Sequence, residues 1–213
     1  MEQFDHIRSL TDTRGQLADW DKKMARGVFS EALSVHSALD EWGSRLSNPS
    51  SRLQYYTSRP ASSIEILAID NKNNIYPTSF AFPNWDNAAA FVYHAMSQIN
   101  INTLLIDLER ITQGSDSPGS KTIPPRVNTL ELTEESIECA DRICQSIEYF
   151  LGDNRRLIGR MVVLAPFETA KSFFSQLSKA GTGNAEKDSS LIEKVKFCDA
   201  VTRRIKDSGL PIG

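Results

Sequence analysis

The stretch WDNAAAFVYHAMSQININTLLIDLERI, residues 85–111, decides the architecture of this chain. Ala88, Phe91, Val92, Ala95, Met96, Ile99, Leu104, Ile106 and Leu108 recur at helical spacing and leave almost no broad polar face. A helix that is apolar nearly all round must be surrounded, so this segment is expected at the centre of the fold, with Asn84 as its N-cap. The rest of the chain then has to supply the helices that cover it.

Upstream, Leu17, Trp20, Met24, Val28, Ala32, Val35, Leu39, Trp42 and Leu46 step by three or four and predict a long helix near residues 14–46. It ends where Ser47-Asn48-Pro49-Ser50 competes for backbone hydrogen bonds and proline cannot continue the ladder. A short amphipathic turn with Phe4, Ile7 and Leu10 is expected before it. Between Ser50 and Asn84 the periodicity fails. Ile64 and Ile66 could pair with Ile75 and Tyr76 across the turn-prone Asn71-Lys72-Asn73-Asn74, while Pro77 and Pro83 confine such a strand to an edge. The segment reads as an irregular crossover packed on helices.

Downstream, eight of the twelve residues from Gly114 to Pro125 are Gly, Ser or Pro, which predicts a flexible loop near 114–126. Thr133, with Glu134 and Glu135 placed for the positive end of a helix dipole, is expected to start a helix burying Ile137, Ala140, Cys144, Ile147 and Leu151. The next carries Leu157, Ile158, Met161, Val162 and Leu164, and Pro166 should kink or divide it before Phe167, Phe173, Phe174 and Leu177. After a second flexible loop at 181–187, Asp188 is expected to cap a last helix with Leu191, Val195, Cys198 and Ile205 inward. Residues 1–213 thus read as one all-α domain of long antiparallel helices with an irregular crossover.

Composition narrows the function classes. Lys and Arg number 24 against 27 Asp and Glu, a net charge of −3 that lacks the electrostatic footprint of an autonomous nucleic-acid binder, so no direct DNA contact is expected. The best candidate for a membrane span, Met161 to Ala165, is far too short for one. MEQFDHIRSL at the start mixes acid and base and predicts no secretory signal. Cys139, Cys144 and Cys198 form no disulfide framework, and an intracellular location is expected.

Motifs for chemistry are sparse. His6, His36 and His94 read as isolated residues on helices, without HExxH or another ligand pair at one-turn spacing, so no metal site and no cofactor are expected. Cys139 and Cys144 lie about 140° apart on a helix and cannot share a metal; buried, hydrophobe-like roles are expected for Cys144 and Cys198. Gly181-Thr182-Gly183-Asn184 follows a helix rather than a strand and reads as a linker, not a phosphate cradle. No GxSxG elbow occurs. Glu134-Glu135 reads as a dipole pair, and Asp107 and Glu109 point to different sides of their helix. Arg155, Arg156 and Arg160 form a solvated face, and Arg203, Arg204 and Lys206 complement a helix C-terminus.

The order of features carries a resemblance. ALDEWGSRL (Ala38–Leu46), YPTSFAFPN (Tyr76–Asn84), FVYHAMSQININTLLIDL (Phe91–Leu108), ECADRICQSIEYFL (Glu138–Leu151), GRMVVLAPFETAKSFF (Gly159–Phe174) and KFCDAVTRRIKDSGLPIG (Lys196–Gly213) follow one another. From about residue 14 to 213 this series resembles the C-terminal part of the fungal-specific transcription factor domain, which lies behind the binuclear zinc cluster of fungal regulators. The resemblance implies an all-helical regulatory module, nuclear, that binds a protein partner, a second copy or a small effector, with DNA contact made by a six-cysteine cluster that these three dispersed cysteines do not form. The competing expectation is a small helical enzyme with an apolar cavity, in which Tyr93, His94 and Glu148 are the residues to inspect. A third is an inhibitory dimerisation partner of full-length regulators.

Overall fold

The computed structural model describes residues 19–47, 56–60, 75–113, 126–152 and 156–207. The order is α1 (Asp19–Ser47), β1 (Tyr56–Pro60), β2 (Thr78–Ala81), α2 (Trp85–Gln113), α3 (Thr129–Leu151), α4 (Arg156–Ala180) and α5 (Ala185–Asp207). The fold is all-α, with one two-stranded antiparallel hairpin beside the helices.

Helix α2 occupies the centre as its composition demands, packed by α1, α3 and α4. Asn84 caps it, its Oδ1 accepting from the Asn87 amide at 2.9 Å. Two clusters of buried side chains share it. Its first half, with Ala88, Val92, Ala95 and Ile99, joins Ile143, Ile147 and Phe150 of α3, Val163, Phe167 and Phe174 of α4, and Leu191, Val201 and Ile205 of α5. Its second half, with Leu105, Ile106 and Leu108, meets Ala25, Phe29 and Ala32 of α1 and Leu132 of α3.

The helix faces differ from the periodic reading in instructive ways. On α1, Ala32 is buried as expected, but Ala25 and Phe29 are buried one residue round from Met24 and Val28, and Val35 is 51% exposed. One residue is about 100° of rotation, and burying the Phe29 ring outweighs burying a valine. On α4, Val163, Phe167, Ala170 and Phe174 face the core, while Ile158 and Met161 are 65% and 66% exposed. Pro166 sits inside α4 without dividing it. Helix α3 begins at Thr129, capped by Asn128 Oδ1 on the Glu131 amide at 3.3 Å, instead of at Thr133, whose hydroxyl turns back to the Thr129 carbonyl.

The expected loop at 181–187 is a tight turn. Gly181 and Gly183 adopt φ of 72° and 73°, and the Gly181 amide closes on the Leu177 carbonyl. The cap of α5 is Asn184, which accepts from the Glu186 and Lys187 amides, while Asp188 Oδ1 binds the amide and hydroxyl of Thr182. The strands are also displaced from expectation: Tyr56 pairs with Ala81 and Pro60 with Thr78, whereas Ile75 and Tyr76 precede β2. Tyr76 is drawn into the core, where its ring meets Phe197 edge-on. Proline is tolerated because both strands of a two-stranded sheet are edges. Phe4, Ile7, Leu10, Ile64, Ile66, Asn71–Asn74 and the 114–125 stretch lie outside the described residues.

Contact between α1 and α2 is close at one point. His94 Nε2 donates to the Leu39 carbonyl at 3.0 Å, and Trp42 meets the imidazole edge-on at 5.0 Å. A Cβ on Gly43 would stand 2.8 Å from His94 Cε1, whereas nothing lies within 4 Å of one on Gly27. Alanine is favoured over glycine inside a helix by about 1 kcal/mol. Gly27→Ala is therefore expected to raise the unfolding free energy by roughly 0.5–1 kcal/mol, and Gly43→Ala to lower it by displacing His94. Urea unfolding of the two variants checks the contrast; equal effects of the same sign would refute the α1–α2 packing.

Candidate functional site

Three helices each offer a pair of polar side chains one turn apart at a common junction. Helix α1 presents His36 and Asp40, α2 presents Gln98 and Asn102, and α3 presents Glu131 and Glu135. Glu135 is the hub. Its Oε1 accepts from Gln98 Nε2 at 2.9 Å, and its Oε2 accepts from Asn102 Nδ2 at 2.9 Å. Gln98 Nε2 also donates to Asp40 Oδ1 at 3.0 Å.

The imidazole of His36 stands between two carboxylates, with Nδ1 3.2 Å from Asp40 Oδ2 and Nε2 3.4 Å from Glu135 Oε2. Exposure is graded across the junction, since Gln98 and Asn102 are buried, His36 and Glu135 half-buried, and Asp40 exposed. Beside it opens a pocket of about 460 Å³ lined by Leu33, His36, Asp40, Leu105, Val127, Asn128, Glu131, Leu132 and Glu135. The pocket therefore has an apolar floor and an acidic wall.

This arrangement corrects the reading of the histidines. His36 is not isolated: Asp40 lies one turn away on α1, and Glu135 is brought to it from 99 residues further along. Glu135 is not a dipole partner either, because α3 starts at Thr129 and places it in the second turn, facing the buried amides. Glu134 points away and pairs with Lys187 at 3.2 Å. Asp107 and Glu109 do diverge, Asp107 toward Arg110 on the surface and Glu109 into the interior.

Tyr93, His94 and Glu148 do not line the pocket. Tyr93 is exposed and His94 is committed to α1. Arg155 lies outside the described residues, as do the side chains of Arg156 and Arg204, while Arg203 and Lys206 are exposed.

A second polar junction is half-buried against the core. Asp141 accepts from the Tyr76 hydroxyl and from Lys194 Nζ, both at 2.7 Å, and Lys194 also lies over the Phe174 ring. Beside it, Cys144 Sγ and Cys198 Sγ are 3.8 Å apart, both fully buried as free thiols.

No protein-family model, curated protein or solved structure matches this chain. Among the described residues, no helix is long and apolar enough to cross a membrane.

The sealed thiols give the fold a pH dependence of definite sign. Burial pushes the Cys139 thiol from 9.0 up to about 12. Burial, aided by the Cys198 contact, likewise raises Cys144, and burial raises the Tyr76 hydroxyl. As pH rises past about 9, the unfolded chain loses thiol protons that the native chain keeps, so stability falls by roughly 1.4 kcal/mol per pH unit for each proton retained. Chemical denaturation across about pH 8 to 11 should show this decline, shallower in Cys139→Ala. A flat profile would contradict the burial of these groups.

Proposed function

We propose that the chain is a non-enzymatic regulatory module of a fungal transcription regulator, receiving a small effector in the groove between α1 and α3. The observation that carries the reading is the pocket itself: an apolar floor of Leu33, Leu105 and Leu132 under a wall of His36, Asp40, Glu131 and Glu135. Such a cavity gives a small molecule both burial and orientation. An effector seated there touches α1 and α3 at once, so its binding energy can bias how those helices sit against α2.

The order of sequence features supports the regulatory assignment, and the net charge of −3 supports placing DNA contact on another segment or subunit. In this reading the module works in the nucleus, and exposed Ile158 and Met161 on α4 supply apolar surface for a protein partner.

The test joins the chain to a heterologous DNA-binding domain in a fungal cell and reads a reporter gene. The tethered module is expected to change transcription several-fold, and Leu33→Trp, which fills the pocket, to alter that response while leaving protein abundance unchanged. Isolated protein should show no sequence-selective binding to duplex DNA at nanomolar concentration by fluorescence anisotropy. A tethered module without transcriptional effect, or selective DNA binding by the chain, would overturn the reading.

A further inference from the structure

We infer that His36, Asp40 and Glu135 form a binding site for a divalent transition-metal ion of the zinc class at the wall of the groove. The inference rests on reading that groove as the effector site, and it names the chemical class of one ligand. Four observations lead to it.

The donors are of the right kind and close enough together. One ring nitrogen and one oxygen from each carboxylate lie within 4.8 Å of one another. An imidazole with carboxylates is a donor set that zinc-class ions accept.

The spacing accommodates a metal. Donors at about 2.0–2.1 Å from a tetrahedral ion stand ~3.3 Å apart, and His36 Nε2 lies 3.4 Å from Glu135 Oε2. A charge-assisted hydrogen bond between the same groups closes to about 2.7–2.9 Å. Asp40 Oδ2, 3.2 Å from Nδ1, orients the ring so that Nε2 faces Glu135, and an Asp40 carboxylate oxygen stays within reach of the same ion.

The charge at the junction is also unbalanced. Among the described residues, no lysine or arginine pairs with Asp40 or Glu135. Two carboxylates therefore share one imidazole, and a divalent cation supplies what is missing.

Two buried amides, finally, face the cluster with their nitrogens. Gln98 and Asn102 are 1% and 0% exposed, and Gln98 Oε1 and Asn102 Oδ1 have no hydrogen-bond partner. Their amide protons, donated to Glu135 and Asp40, hold the carboxylates in place for a cation. The adjoining pocket of about 460 Å³ leaves room for water or an effector group to complete the coordination.

The test titrates the whole chain with zinc chloride in a non-chelating buffer near neutral pH, and with cobalt chloride as a spectroscopic probe. One equivalent of zinc should bind and raise the melting temperature, and cobalt should give visible absorption of nitrogen and oxygen ligation without a thiolate charge-transfer band. His36→Ala and Asp40→Asn, on half-buried and exposed positions, should each weaken binding at least tenfold while unfolding cooperatively, and Cys139→Ala should leave it unchanged.

Absence of saturable binding at about 100 µM zinc, or binding that survives both variants, would overturn the inference. A thiolate signature would do so as well. If zinc fails to bind while the tethered module still acts on its reporter, the inference falls and the regulatory reading stands. If zinc binds and the module is inert, the reverse holds.

Discussion

Glu135 is where three helices agree on their positions. Gln98 and Asn102 stand in the middle of α2, fully buried between apolar neighbours, and their amide protons need acceptors. An unpaired buried donor costs about 1–3 kcal/mol, a large fraction of a domain's net stability. Helix α3 meets that need with one carboxylate that takes a hydrogen bond on each oxygen. Rotating α3 by a single residue, about 100°, would turn that carboxylate away from both amides. Once Glu135 is in place, His36 and Asp40 complete the junction from α1.

The two apolar clusters flank this polar junction rather than run through it. One gathers α2, α3, α4 and α5 around Phe150, Phe167 and Phe174, and the other joins α1 to the second half of α2 and the start of α3. The groove opens beside the smaller cluster, where fewer buried side chains hold α1. Regions of lower local stability are where binding-coupled motion is drawn from. The Tyr76–Asp141–Lys194 network, half-buried against the larger cluster, instead ties the segment before β2 to α3 and α5.

How much of this the sequence disclosed follows from the range of each interaction. The five helices were legible because each repeats its apolar residues over several turns, and Asn84 announced the start of α2 as a local hydrogen bond. The choice of face was less legible. Apolar residues on α1 and α4 cover more than half the circumference, so periodicity alone could not prefer Phe29 over Val28 or Phe167 over Met161. The Asn128 cap was hidden beside Thr133, which is also a capping residue and is followed by two acids.

The site was the least legible part. His36 and Asp40 stand one turn apart in the sequence, but the histidine read as isolated because that pair alone carries no ligand motif. Its meaning depends on Glu135, 99 residues away, and only packing makes that contact. Gln98 and Asn102 form a similar pair, two amides one turn apart inside the most apolar helix.

A double-mutant cycle between Asn102 and Glu135 tests the polar junction most directly. Asn102→Ala, Glu135→Ala and the double variant are compared by equilibrium denaturation, so that the coupling is separated from the cost of each truncation. The structure predicts a coupling of at least ~1 kcal/mol, as expected for a buried amide donating to a carboxylate. Coupling below about 0.3 kcal/mol, the additivity of distant sites, would contradict it.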